Sequence, residues 1–131
     1  MLSYKYRLKP SEEQVKVLEE HINICRRMYN YLLDYSYEQR KNTNKTPTMY
    51  DLVYLIPPMK KEYPELKQIY AQVLENVAER VHSGFVNFWA RRMHKLKAGL
   101  PRFRREEEYN SITYRVAGYK VNSNTLTLSK I

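Results

Sequence analysis

Seven apolar side chains, Leu66, Ile69, Val73, Val77, Val81, Phe85 and Phe88, recur in steps of three and four residues. That spacing keeps them on one side of an α-helix, in a stripe that has to be buried. Val15, Leu18, Ile22, Cys25, Tyr29 and Leu32 repeat the pattern, and Ile24, Met28, Tyr31 and Tyr35 make a second stripe beside it. Two long amphipathic helices are predicted, one over residues 12–41 and one from Pro64 to Leu96. The stripe Leu18, Ile22, Cys25 and Leu32 is expected to face Val73, Val77, Val81 and Phe88. Two stripes on the first helix call for two neighbours, a helix and a sheet.

Local signals mark the boundaries. Ser11-Glu12-Glu13-Gln14 is a capping box, and its two acids suit the positive end of the helix dipole. Residues 42–47 form a polar loop. Thr48 caps a short helix that reaches Ile56 and is stopped by Pro57-Pro58, with one more turn expected before Tyr63. Gly99 is the expected cap at the end of the second long helix. Leu2, Tyr4, Tyr6 and Leu8 alternate with Ser3, Lys5 and Arg7, the period of a half-buried strand. Ile112, Tyr114 and Val116 alternate in the same way. Residues 119–121 and 125–128 flank Asn122-Ser123-Asn124 as a hairpin. The predicted fold class is therefore α+β: a long-helix bundle (residues 10–108, with a basic connecting loop) inserted between an N-terminal strand and the C-terminal strands of a small sheet (residues 1–9 and 109–131). Tyr4 and Tyr6 should then be buried with Ile112, Tyr114 or Leu126.

Several functions find no residues to carry them. The single cysteine, Cys25, offers no internal disulfide and no zinc site. Three glycines spread over 131 residues build no phosphate-cradling loop. His21, His82 and His94 lack ligand-spaced partners, and Glu106-Glu107-Glu108 is a run rather than a spaced metal constellation. No catalytic residue, metal or cofactor is expected. No apolar run approaches the ~20 residues of a membrane span, and the expected location is the cytoplasm, with the nucleoid if the chain binds DNA.

The charge is uneven. Residues 1–79 hold twelve Lys/Arg and eleven Asp/Glu, a net of +1, and residues 80–131 hold eleven and three, a net of +8. From Arg80 to Arg105 there are eight basic residues and no acid. Such a concentrated field attracts polyanions. Arg91, Arg92, Lys95, Lys97, Arg102, Arg104 and Arg105 are the candidate phosphate contacts, which give affinity and salt dependence rather than base reading. Arg26, Arg27 and Asn30 form a smaller candidate group. Their side-chain types make bidentate base contacts, and are equally at home on a helix surface. Trp89 and Phe103 could stack on a base or pack against the core.

Three pieces in order carry a family resemblance: Tyr4-Lys5-Tyr6-Arg7-Leu8-Lys9-Pro10-Ser11, Cys25-Arg26-Arg27-Met28-Tyr29-Asn30-Tyr31, and Gly99-Leu100-Pro101-Arg102-Phe103-Arg104. The chain resembles the N-terminal part of the TnpB (OrfB) proteins of bacterial and archaeal insertion sequences, transposase accessory proteins and RNA-guided DNA endonucleases related to type V CRISPR effectors. Leu128-Ser129-Lys130-Ile131 is similar to the Leu-Pro-Lys-Ile of that family, while Lys9 and the triple Glu depart from its pattern. The resemblance implies wedge-type strands of a partial β-barrel, recognition-lobe helices and a partner that is guide-type RNA, DNA or both. It also implies a fragment without cleavage activity of its own, because nothing in these residues matches the family's RuvC-like carboxylates or four-cysteine ribbon. The region is commonly described as a helix-turn-helix, yet the periodicity gives long hairpin-like helices and no compact three-helix unit. Two other readings stand beside this one: a helical module that binds an acidic protein, and a stand-alone DNA-binding regulator.

Overall fold

A computed structural model describes residues 2–115 and 117–131. The chain is α+β, with α1 (Glu12–Thr43), α2 (Met49–Tyr54), α3 (Ile56–Glu62), a 3-10 turn (Pro64–Gln68), α4 (Ala71–Met93), a short 3-10 turn (Glu106–Glu108), β1 (Tyr119–Asn122) and β2 (Thr125–Leu128). The long helices α1 and α4 pack on each other, and α2, α3 and the first 3-10 turn complete the core. All seven residues of the second predicted stripe are buried. On α1, Cys25 and Leu32 join Val73, Val77 and Val81 in one cluster, whereas Leu18 and Ile22 are only half-buried. The first two turns of α1 thus project beyond the core, and Val15 is exposed.

The caps explain the boundaries. Ser11 and Gln14 form the capping box of α1, and Asn44 ends that helix in the left-handed region at φ 59°. Thr48 and Asp51 form a second capping box at α2. α2 ends at Tyr54, just ahead of the proline pair, and the expected further turn is α3. Pro57 and Pro58 lie in the first turn of α3, where a missing N–H costs nothing. The predicted helix from Pro64 is split, because Ile69 is extended at ψ 135° and α4 begins only at Ala71, with no side-chain cap on Tyr70 to announce it. The far end is also earlier than expected. His94 is the C-cap, Lys95 takes φ 56°, and the amides of Lys95 and Leu96 donate to the carbonyls of Arg92 and Arg91. That Schellman turn closes α4 on a lysine, so Gly99 is not its cap.

The largest correction concerns the N-terminal segment. Residues 2–10 form no strand, and Leu2, Tyr4, Tyr6 and Leu8 are exposed, Tyr6 at 79 %. Alternation says which side chains share a face, but a strand also needs an edge that pairs with it. Residues 112–115 are likewise unpaired, and Val116 lies outside the described residues. Among the described residues the sheet is the two-stranded antiparallel hairpin, with Tyr119 opposite Leu128 and Asn122 opposite Thr125. Ile112 and Tyr114 instead pack as coil on the helical core, as does Tyr109. The expected burial of Tyr4 and Tyr6 with Ile112, Tyr114 or Leu126, and the strand at residues 1–9, are therefore not found.

Candidate nucleic-acid interface

The chain leaves α4 at Lys95 and returns along the helical core. Three anchors hold that return. The Tyr37 hydroxyl donates to the Pro101 carbonyl. The Asn30 side-chain amide donates to the Arg104 carbonyl at 3.0 Å and accepts from the Arg104 amide at 2.8 Å, a two-point clasp. Arg26 adds a second donor to the Arg104 carbonyl at 3.3 Å, oriented by two hydrogen bonds to Asn23. On the other side, Gly84 of α4 leaves room for Pro101, where an added Cβ would come within 2.8 Å of the ring. The basic connecting loop, exposed over residues 102–108, is thus anchored to α1 and α4.

That seating joins two groups that are separate in sequence. Arg26 and Asn30 touch the backbone of Arg104, and Arg27 lies on the same helix, exposed. Asn30 spends its amide on the loop, so its role here is to hold Arg104 in place. Arg102 and Arg104 extend from the seated loop, both exposed, and the Arg104 guanidinium lies 5.8 Å from the centre of the Tyr29 ring. Arg91 and Arg92 lie on the last turn of α4, with Arg92 over Phe88, and Lys95 and Lys97 follow in the exposed chain beyond it. Arg105 differs from the others. Its Nε donates to Glu108 at 2.7 Å and lies 3.6 Å from Glu107. The hydrogen bond from Arg105 holds the Glu108 carboxyl below the usual carboxylate range. Among the described residues Arg105 is the one member of the basic run 80–105 in an ion pair.

The aromatic candidates are partly committed to packing. Phe103 lies 6.1 Å from Tyr37, and Trp89 lies 6.3 Å from Phe85, yet they keep 50 % and 40 % of their surfaces exposed. Next to them, α4 and the returning segment enclose a half-open cleft of ≈ 440 Å³. Asn76, Arg80, Ser83 and Asn87 line one wall at helical spacing, one turn apart along α4. Sequence reasoning passed over this polar row because it flanks the stronger apolar stripe. Its own spacing of four, three and four was the signal. Arg80 donates to the Ser111 carbonyl at 2.9 Å and to the Thr113 hydroxyl at 3.1 Å, and lies 5.0 Å from the centre of the Tyr109 ring. No group of three or more His, Cys, Asp or Glu residues placed to hold a metal ion occurs among the described residues, and none of the described helices is long and apolar enough to cross a membrane.

Fold and charge define a class: a helical α+β unit whose basic residues come from an acid-free run seated across two long helices. Residues 1–45 match the family model HTH_OrfB_IS605, described as a helix-turn-helix domain, which supports the resemblance of the N-terminal region to the TnpB/OrfB proteins. The match points to DNA binding in a transposase accessory protein. In this structure the matched span consists of the extended segment and the single helix α1. A helix-turn-helix domain is not catalytic by itself. None of the curated proteins searched matches the chain.

Proposed function

We propose that this chain is the nucleic-acid-binding part of a TnpB-like protein, holding guide-type RNA, DNA or both through its phosphates. The single observation that carries the reading is the clasp of Asn30 and Arg26 on the Arg104 backbone, which makes one basic surface of two sequence-distant groups. Arg91, Arg92, Lys95, Lys97, Arg102 and Arg104 supply the phosphate contacts, with Arg27 at the edge. Arg105 contributes less, because Glu108 already neutralises it. The role is binding; cleavage is assigned to none of these residues.

Filter binding across a salt series tests this. Replacing Arg102 and Arg104 by alanine should reduce the salt slope by about 1 per lost phosphate contact and weaken unrelated sequences alike. Arg105→Ala should change the slope less than Arg102→Ala. Structured RNA should compete at least as well as duplex DNA. Binding to an acidic protein that short RNA or DNA fails to displace, with the slope unchanged in the double variant, would replace this reading by the interaction-module one.

A further inference from the structure

Phosphate contacts explain affinity, but the cleft beside them has a different chemistry. Its two cations and two carboxylates offset one another, and all but Arg104 are tied to protein partners. Arg80 is tied to Ser111 and Thr113, Glu79 is paired with Arg115, and Glu108 with Arg105. The Arg104 guanidinium covers Tyr29, as Arg80 covers Tyr109. What remains to receive a ligand is neutral: the amides of Asn76, Asn87 and Asn110 and the hydroxyl of Ser83. Among the described residues, only the Asn76 amide N–H of these groups has a partner, Glu79 at a marginal 3.4 Å. Amides and hydroxyls donate and accept side by side, as the edge of a nucleobase requires, whereas a phosphate needs donors alone. A guanidinium over an aromatic ring, as Arg80 lies over Tyr109 at 5.0 Å, offers a surface on which a base can stack. The basic run at the rim favours an anionic ligand's neutral end over an uncharged sugar.

We propose that the cleft between α4 and residues 101–111 takes one unpaired base of a nucleic-acid strand, stacked against Arg80 where it lies over Tyr109 and read at its edge by Asn76 and Asn87. This rests on the nucleic-acid-binding reading above and adds base contact to it. The phosphate of the same nucleotide falls to Arg102 and Arg104 at the rim.

The test is fluorescence anisotropy with two strands of equal length, one bearing bases and one with abasic sugars, each made as DNA and as RNA. The wild-type chain should bind the base-bearing strand roughly tenfold tighter, with equal salt slopes for both. The double variant Asn76→Ala, Asn87→Ala should lose most of that ratio while keeping the slope. Alanine favours the helix at both positions, and circular dichroism checks the fold. Arg102→Ala should weaken both strands equally and leave the ratio intact. The arm with the larger ratio identifies DNA or RNA as the source of the base. Equal binding of the two strands by wild type, or a ratio unchanged in the double variant, overturns the base pocket and leaves the phosphate surface standing. Failure of wild type to bind any strand overturns both.

Discussion

Several buried or half-buried thiol and phenol groups hold their protons more tightly in the folded chain, Cys25 and Tyr109 most strongly. Burial pushes the Cys25 thiol from its ordinary 9.0 up to about 12, against a smaller pull from Arg80. Burial also raises the Tyr109 phenol from 10.0 to about 12, with Arg80 again opposing. For both groups the proton is held more tightly in the folded chain than in the unfolded one. The stability they contribute is present below pH 9 and is lost as pH rises through about 12. Urea midpoints at pH 8 and 11 should differ by an amount worth a few kcal/mol. Cys25→Ala should flatten the part of the fall that starts nearest pH 9, and Tyr109→Phe the part above 10. A midpoint that stays flat to pH 11 would mean that neither group is shielded from solvent.

Among the elements, the returning segment depends on how closely it can approach α4. In a helix interior, Gly→Ala ordinarily stabilises by up to ~1 kcal/mol. At Gly84 the new methyl would meet Pro101 at 2.8 Å, whereas at Gly99 it meets nothing within 4 Å. Gly84→Ala should therefore lower the melting temperature or leave it unchanged, and Gly99→Ala should leave it unchanged or raise it by a few degrees. The contrast is read by differential scanning fluorimetry on the two variants. If Gly84→Ala raised the melting temperature as a solvent-facing helix position does, Pro101 would not rest on α4. The hairpin has a similar constraint. A Cβ on Gly118 would lie 2.5 Å from Tyr70, which stacks on Tyr114 at 5.8 Å. Tyr114 donates to the Ser129 carbonyl and Lys130 to the Lys67 carbonyl, which fastens β1 and β2 to the helical part.

At the scale of the whole molecule, stability rests on the seam between α1 and α4. Val77 lies in it at 1 % exposure. Val77→Asp would bury a carboxylate with no partner, a cost above ~4 kcal/mol, and should unfold the domain. Circular dichroism of the purified variant decides this, and a wild-type melting curve would mean that the long helices share no core. That seam was legible in the sequence, as were the capping boxes at Ser11 and Thr48, because helical period and cap chemistry are local and repeat over many residues. The hairpin at residues 119–128 was legible for the same reason. The strand read at residues 2–8 was not realised, since alternation carries no information about the partner edge. The Schellman turn at Lys95 was missed because a lysine takes the left-handed position that glycine usually fills. The site divides along the same line. Sequence alone determined that the positive charge is concentrated between Arg80 and Arg105 and which residue types could meet a phosphate. Only the tertiary structure decided that Arg26 and Arg104 share one surface, that Arg105 is spent on Glu108, and that Asn76 and Asn87 face a cleft. The Arg105–Glu108 pair is local, three residues apart, but the contacts of Arg26 and Asn30 with Arg104 join segments more than seventy residues apart, and no local pattern encodes those.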